Sequence, residues 1–372
     1  MEIRRYADFS HDLHAGLRGR RVPLSGTIEL TRRCSLRCVH CYNNLPADDE
    51  AAHAAELTCD EHCRVLDEIA GAGCLWLLYT GGEIFVRNDF PDIYAYAKEK
   101  GFLITLFTNG TLITPAIADY LAERPPFLIE ITIYGATAKT HESITGTAGS
   151  YEQCMHGIRL LRERGLRLRL KTMALTLNRH ELEDMKRIAK KEWGLEFRFD
   201  AMINPRIDCA VTPLSVRLSP KEVVELDLQD PRRMEEWRRF CKICDSLVDP
   251  HRTGDDLYSC GGGIHSFAVD PYGMLRICAL SNGDGYDLRC GTFREGWENF
   301  IAEIRQRKAT RRTRCTDCKL KTMCGICPAQ GEIENRDAEE PVEFLCEVAH
   351  LRAEALGIPL PDSECAPTDA VL

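Results

Sequence analysis

Residues 27–44 read TIELTRRCSLRCVHCYNN. The β-branched and apolar start of this stretch predicts a strand at residues 27–31. Three cysteines follow that strand directly and are spaced C-x3-C-x2-C at Cys34, Cys38 and Cys41. In parallel α/β barrels the chemistry lies at the carboxyl ends of the strands, so we expect a functional loop here.

The rest of the first half alternates between strand and helix patterns. Short apolar or β-branched runs beside Gly, Pro or Asn predict five further strands, at residues 75–80, 102–108, 128–134, 166–174 and 195–202. The clearest helices lie at residues 60–72, 89–100, 151–164 and 180–193, with Asp60 and Asp89 as expected N-caps. Six such units predict a parallel sheet with right-handed crossovers. Because a closed barrel needs eight strands, we expect a partial, open (β/α)6 barrel of the TIM type.

Composition limits the class of function. The chain has 372 residues and a formal net charge of −9, which argues against a nucleic-acid binder. No run of about 18 apolar residues could span a membrane, and the N-terminus has no apolar signal core. We therefore expect a cytoplasmic protein with no nucleic-acid or membrane partner. In that compartment 19 cysteines favour metal binding or catalysis over disulfides.

The first three cysteines predict an iron–sulfur site. Three thiolates can bind three irons of one [4Fe–4S] cube and leave the fourth iron free for a substrate. Zinc is the alternative, but His40 is too near in sequence to complete a tetrahedron easily. The motif, with His40 before its third cysteine, resembles the signature of radical S-adenosylmethionine (SAM) enzymes. The resemblance implies that SAM chelates the open iron, that its cleavage yields a 5′-deoxyadenosyl radical which abstracts hydrogen from substrate, and that His40 lies near the adenine.

Motifs at later strand ends agree with this resemblance. Gly81, Gly82 and Glu83 are similar to the family's GGE motif, which implies that they hold the SAM amino group. Glycines permit close backbone approach, and a carboxylate can accept hydrogen bonds from an ammonium. Asn109 resembles the family's TNG motif; its alternative role is to stabilise a turn. Polar residues in the later apolar strands should in part face the lumen and contact SAM or substrate, the alternative being a solvent-exposed face: Thr132, Lys171, Arg198 and Asp200.

A second group of cysteines follows the barrel. Cys260, Gly273 and Cys278 form C-x12-G-x4-C. Four more form C-x2-C-x5-C-x2-C, and a last one follows: Cys315, Cys318, Cys324, Cys327 and Cys346. Paired C-x2-C is also a zinc-ribbon spacing, but seven cysteines exceed what one zinc needs and favour two multi-iron sites. The pattern resembles the SPASM domain of radical SAM enzymes that mature peptides and proteins, although its last spacing is usually C-x3-C.

The resemblance implies two auxiliary clusters. One would use Cys315, Cys318, Cys324 and Cys346. The other would use Cys260, Cys278 and Cys327, and its fourth ligand stays undecided between an open site and three further cysteines: Cys241, Cys244 and Cys290. The other cysteines are expected to act as small hydrophobic residues.

Five segments are expected along the chain. They are an N-terminal extension at residues 1–24, the radical SAM partial barrel at 25–220, a helical connector at 221–257 with a break at Pro231, the SPASM auxiliary-cluster domain at 258–350 and a C-terminal tail at 351–372.

The substrate is the least determined feature. The resemblance favours a ribosomal peptide maturase, and the alternative is an oxidoreductase or mutase acting on a sugar or cofactor precursor. A non-enzymatic iron–sulfur carrier would form no 5′-deoxyadenosine. Ala279 occupies the position at which sulfatase-maturating relatives have an Asp, which argues against that activity. The candidates to take the role of that Asp are Tyr272, Tyr286 and Asp287. Expected partners are a flavodoxin- or ferredoxin-like reductase and a separate peptide-leader-binding protein, since few residues precede the first strand.

Overall fold

A computed structural model describes residues 5–17, 19–244, 255–258, 260–316 and 318–358, without the side chains of residues 240–244 and Thr322. Its strands are β1 Ser25–Thr31, β2 Arg33–Cys34, β3 Leu45–Pro46, β4 Trp76–Gly81, β5 Leu103–Thr108, β6 Leu128–Thr132, β7 Leu168–Met173, β8 Glu196–Asp200, β9 Ser266–Val269, β10 Met274–Arg276 and β11 Tyr286–Asp287.

The α-helices within the described residues connect these strands or follow them. They are α1 Tyr6–Gly16, α2 Glu50–Ala55, α3 Cys59–Gly71, α4 Phe90–Glu99, α5 Pro115–Glu123, α6 Ala138–Thr145, α7 Ser150–Glu163, α8 Leu182–Arg187, α9 Pro220–Gln229, α10 Pro231–Cys244, α11 Phe293–Glu295, α12 Ala302–Gln306, α13 Lys321–Cys324, α14 Pro328–Asn335 and α15 Glu343–Leu356. Shorter 3-10 turns lie at Ile84–Val86, Arg179–Glu181 and Thr212–Val216, and π-helical turns at Ile188–Glu192 and Gly296–Ile301.

The six predicted strands are confirmed as one parallel series. In the order β1-β4-β5-β6-β7-β8, each strand pairs in parallel with the next. Alternate residues of β5 and β7 are buried, because one face of each strand packs under the helices. The partial α/β barrel expected from the sequence is therefore present.

The sheet is larger than the sequence predicted. β9 pairs in parallel with the free side of β1, and β10 and β11 continue the sheet in antiparallel order. Nine strands thus form one sheet that runs from the cysteine-rich region through the barrel. Strand pairing across so long a stretch of chain depends on main-chain hydrogen bonds, which leave little trace in side-chain patterns.

Two helix starts differ from their predictions. The N-cap of α3 is Thr58, whose hydroxyl accepts from the Glu61 N–H at 3.2 Å while the Glu61 carboxylate accepts from the Thr58 N–H at 2.8 Å. This capping box displaces Asp60 from the expected role. Asp89 does occupy the N-cap of α4, but its side chain accepts from the Arg87 guanidinium instead of capping the helix.

Helix α1, from the expected N-terminal extension, covers the amino end of the barrel. The His14 ring stacks on Trp76 at 5.6 Å, and the Tyr6 ring lies 4.6 Å from Phe127. Trp76 begins β4 and Phe127 precedes β6. The lumen is therefore covered at the end opposite to the cysteine loop.

A buried ion pair joins the connector to the last helix. Asp227 of α9 accepts from Arg352 of α15 at 2.7 Å and from Arg233 of α10 at 2.8 Å. Helix α9 ends at Gln229 and α10 begins at Pro231, so the chain breaks at Pro231 within the segment expected to be the connector. Helix α15 continues past residue 351, where the tail was expected to begin. No helix in the described residues is long and apolar enough to cross a bilayer.

Candidate active site

The three predicted thiols of the first motif lie together above the carboxyl end of β1. Main-chain N–H groups on either side of Cys38 donate to the carbonyl groups of Thr145 and Ile144, at 2.9 and 3.0 Å, and fix the loop to the end of α6. Burial, the nearby Glu83 and the Cys41 thiol raise the pKa of Cys34 to about 12. Burial also raises the pKa of Cys38, with contributions from the other two thiols. The loop therefore gathers three protonated thiols that a metal would have to deprotonate.

Gly81 and Gly82 fit the end of β4 against this loop. A Cβ atom on Gly81 would lie 2.1 Å from the Thr31 carbonyl oxygen, and one on Gly82 would lie 2.2 Å from the Arg33 carbonyl oxygen. Gly81 also has a φ of 135°, which other residues rarely adopt. The Gly82 N–H donates to the Thr31 carbonyl at 2.7 Å. The two glycines thus permit close approach to the backbone of the cysteine loop itself.

The Glu83 carboxylate points into the protein. It is fully buried and accepts from the Thr108 hydroxyl and from the Asn109 N–H, both at 2.8 Å. Burial raises its pKa to about 7. In this arrangement Glu83 positions the end of β5, and the contact with a SAM ammonium expected from the sequence stays a prediction.

Asn109 connects the third strand end to the cysteines. Its side-chain N–H2 lies 3.7 Å from the Cys34 sulfur and 3.2 Å from the Ser35 hydroxyl. Its carbonyl oxygen accepts from the Thr111 N–H at 2.8 Å. Asn109 therefore stabilises its turn and also contacts the cysteine loop, while its contact with SAM stays a prediction.

His40 is buried beside the cysteines. Its Nδ1 atom is buried and has no hydrogen-bond partner in the described part of the chain. Burial lowers its pKa to about 4, so the imidazole is neutral. Its ring lies 4.8 Å from the ring of Tyr134, which the sequence analysis did not single out. The available signal was its position in the sequence, since Tyr134 lies two residues after the end of β6, at the carboxyl end of the barrel.

The polar residues predicted on later strands lie side by side. Thr132 pairs with Lys171, and Lys171 pairs with Arg198, in adjacent strands. The buried Glu130 lies 3.6 Å from the Lys171 ammonium and accepts from Arg198 at 2.5 Å. Burial lowers the pKa of Lys171 to about 7, although Glu130 opposes the shift. Asp200, the last of the set, accepts from the Met202 N–H at 2.9 Å and closes a turn.

Two further groups that support the loop escaped sequence reasoning. The buried Glu29 of β1 accepts from the Tyr42 hydroxyl at 2.9 Å and from Asn43 at 2.8 Å. From the segment that follows β8, Arg206 donates to the Cys41 carbonyl at 3.4 Å and to the Asn44 side chain at 3.0 Å. In the sequence, the only signal for Glu29 was that polar residues occupy alternate positions of β1. No sequence signal pointed to Arg206.

Glu56 stabilises the start of the cysteine loop through buried ion pairs. Its buried carboxylate accepts from Arg33 at 3.0 Å, from Arg87 at 3.3 Å and from the Thr31 hydroxyl. Both guanidinium groups are themselves buried. Removal of the carboxylate would therefore leave two buried charges without their shared partner.

We expect Glu56→Ala to lower the free energy of unfolding by about 3–5 kcal/mol. Urea denaturation of the purified protein measures the change. The control is Glu123→Ala, which removes an exposed carboxylate beside Arg124 and should change stability by about 0.5 kcal/mol or less. Equal effects of the two substitutions would contradict this account of Glu56.

The C-terminal cysteines meet in the two predicted sets. One pocket is lined by the first set, Cys315, Cys318, Cys324 and Cys346. Burial raises the pKa of Cys324 to about 12, and the other three thiols add to the rise. In the second set, burial and the nearby Cys278 and Cys260 raise the pKa of Cys327 to about 11.

The fourth ligand of the second set stays undecided. Cys290 donates to the Asp287 carboxylate at 3.3 Å in an exposed turn. Cys241 and Cys244 end α10, and their side chains lie outside the described residues. The Glu332 carboxylate, which the sequence analysis missed, interacts with Cys278.

The donor chemistry fits iron–sulfur clusters and SAM. Every cysteine whose side chain is described is a free thiol. Within the described ranges, no three Cys, His, Asp or Glu side chains could hold a single metal ion. In an iron–sulfur cube, by contrast, each thiolate binds a different iron. The three partly buried thiols and the unpartnered Nδ1 atom of His40 suit a cluster with a neighbouring nucleoside.

Comparison with known proteins agrees with this site. Residues 28–191 match the family model of the Radical SAM superfamily. The chain is 28% identical over 331 residues to an AdoMet-dependent heme synthase of Methanosarcina barkeri, covering 84% of this chain and 94% of that protein. It is 26% identical over 325 residues to the mycofactocin maturase MftC of Mycobacterium tuberculosis, covering 84% and 80%.

Among solved structures, the fold is similar to that of Streptococcus suis SuiB bound to its precursor peptide SuiA. The TM-score is 0.59 at 14% identity, with 98% of this chain and 82% of that chain covered. This likeness concerns the fold alone. The partial barrel, the sequence match and the cysteine loop define an enzyme that uses SAM. Residues 28–191 form a radical SAM domain, which implies a [4Fe–4S] cluster and SAM as cofactors, and the cysteine-rich C-terminal region is consistent with a SPASM domain.

Proposed function

We propose that Cys34, Cys38 and Cys41 hold the catalytic [4Fe–4S] cluster of this enzyme. The observation that carries the proposal is the meeting of three partly buried thiols at the carboxyl ends of the barrel strands, against Gly82 and Asn109. When bound, the cluster and SAM supply a 5′-deoxyadenosyl radical. In this proposal the loop is oriented by its hydrogen bonds to α6, and His40 would pack against the adenine.

The lumen wall would contact SAM or the substrate. Glu130 contacts three cations, Lys171, Arg198 and Arg169. Glu196 also pairs with Arg169, so the group has one more cation than carboxylates. A carboxylate group of a ligand would restore the charge balance, and it would also raise the pKa of Lys171 by favouring its charged form. Thr132, next in the same row, offers a neutral hydroxyl.

The C-terminal domain, at residues 258–350, would hold two auxiliary clusters. The first would use Cys315, Cys318, Cys324 and Cys346, which line one pocket. The second would use Cys260, Cys278 and Cys327. Because β9 extends the barrel sheet beside β1, these clusters would belong to the same rigid body as the catalytic loop. Clusters so placed are suited to accept an electron from a substrate radical.

We propose a ribosomal peptide as the substrate. The relative named as a mycofactocin maturase covers most of the chain, and SuiB, which shares the fold, was solved with a precursor peptide. The barrel sheet ends at β8, where the side chains of Arg198 and Glu196 are 54% and 73% exposed. An open edge of this kind leaves room beside the lumen for an extended chain. A reductase and a leader-binding protein would be its partners.

One observation favours a small-molecule substrate as the second candidate. The relative that the chain covers at 94% of its length is named as a heme synthase. A heme precursor is a cofactor precursor, and this is the substrate class that the sequence offers as the alternative to a peptide.

Deuterium transfer distinguishes the two substrates. The anaerobically reduced enzyme is mixed with SAM and either deuterated peptides encoded near its gene or a deuterated heme precursor. We expect deuterium in 5′-deoxyadenosine from a peptide, measured by mass spectrometry, with the Cys38→Ala variant as the blank. Label from the heme precursor alone would reject the peptide proposal in favour of the second candidate.

A further inference from the structure

A histidine lines the same pocket as the first set of C-terminal cysteines. Besides the four thiols, the lining includes apolar side chains such as Leu320 and Val342 and two nitrogen-bearing side chains, Lys321 and His350. The Lys321 ammonium donates to the Thr316 carbonyl at 3.3 Å. The Nε2 atom of His350, in contrast, is buried and has no hydrogen-bond partner among the described residues.

Helix α15 determines where His350 lies. His350 follows Cys346 by four residues, so both side chains project from the same face of the helix. Two residues further on, Arg352 donates to the buried Asp227 at 2.7 Å and fixes this part of α15 to α9. The path of the main chain is therefore held by groups other than the imidazole, and a substitution of His350 should leave Cys346 in place.

The chemistry of the pocket indicates what the unpartnered nitrogen would bind. A buried nitrogen without a partner costs free energy, so a ligand of this pocket should supply one. Sulfur atoms that bind iron accept hydrogen bonds and offer no donor, whereas a neutral imidazole can carry its N–H at either nitrogen. A cluster held by the four thiols would therefore accept a hydrogen bond from Nε2.

We propose that His350 donates this hydrogen bond to a sulfur of the first auxiliary cluster and raises its reduction potential. Reduction adds negative charge to the cluster, and a donor stabilises the more negative state; hydrogen bonds to sulfur are among the factors that set iron–sulfur potentials. The cluster would thus accept one electron from a substrate radical more readily, while the Nε2 proton stays on the imidazole. The proposal rests on the four-cysteine cluster proposed above.

The test is His350→Leu in the full-length reconstituted enzyme, because leucine is apolar and cannot donate. We expect the iron content to stay at about twelve per chain. The reduction equilibrium of the first auxiliary cluster should shift about tenfold toward the oxidised form, which is about 59 mV for one electron. Redox titration followed by electron paramagnetic resonance measures this, and the signal that is absent from Cys324→Ala identifies the cluster. An unchanged potential at full iron content would overturn the proposal.

Two further variants separate a hydrogen bond from a change of packing. His350→Gln keeps a side-chain N–H donor and should recover most of the shift; a shift as large as that of His350→Leu would reject the donor role. His62→Leu is the matched control. The Nε2 atom of His62 is also buried without a partner in the described residues, but it lies on α3, away from this pocket. An equal shift in His62→Leu would reject a specific role for His350.

If His350→Leu loses iron, the unaltered enzyme decides the question. Histidine that carries the heavy nitrogen isotope should show a weak hyperfine coupling to the reduced first auxiliary cluster in pulsed electron paramagnetic resonance. Absence of this coupling, or a coupling as large as that of an iron–nitrogen bond, would overturn the proposal. The cluster assignment fails separately, because it predicts loss of iron in Cys324→Ala, whatever the result at His350.

Discussion

Cys38→Ala is expected to reduce SAM cleavage to the background seen without protein. Cys38 is the middle thiol of the loop, and its pKa rises through burial beside the other two thiols. Two remaining thiolates would hold the cube poorly, so about four irons per chain should be lost. Formation of 5′-deoxyadenosine under anaerobic reduction, measured by liquid chromatography, gives the activity.

Cys63→Ala provides the matched control for that loss. Cys63 is also a partly buried free thiol, but it lies on α3 beside Cys59 and belongs to none of the three predicted sets of cluster ligands. This variant should retain its iron and most of its cleavage activity. Appreciable SAM cleavage by Cys38→Ala would remove the catalytic assignment of the loop.

We expect about twelve irons per chain after anaerobic reconstitution, because three cubes of four irons are proposed. Cys324→Ala should lower the count to about eight. Its thiol lies among those of Cys315, Cys318 and Cys346 in one pocket. SAM cleavage should persist in this variant while substrate turnover falls, since the catalytic loop is untouched. Iron and sulfide assays measure the count.

Cys290→Ala serves as the control for the auxiliary clusters. Its thiol is exposed and donates to Asp287. Retention of twelve irons would exclude Cys290 as the undecided fourth ligand, and loss of iron would identify it as that ligand. A count near four in the unaltered enzyme would remove the auxiliary clusters altogether.

Much of the site was predictable because its residues are close in sequence. The three cysteines and His40 lie within eight residues, and a strand before them places such a loop at the mouth of a parallel barrel. Gly81 and Gly82 at the end of β4, and Asn109 directly after β5, were predictable for the same reason. What spacing could not give is the direction of a side chain. The Glu83 carboxylate accepts from Thr108 and Asn109, and its contact with a SAM ammonium stays a prediction.

The sequence alone determined the alternating strands, because they depend on residue type and local periodicity. The resemblance of its cysteine motifs to those of radical SAM and SPASM proteins predicted the class of chemistry and the two sets of C-terminal cysteines. Only the tertiary structure decided that β9 pairs with β1, that Glu56 joins Arg33 to Arg87, and that Arg206 reaches the Cys41 carbonyl. These contacts join residues far apart in the chain. They form because buried main-chain groups, charges and hydroxyls must find partners wherever the fold brings them together.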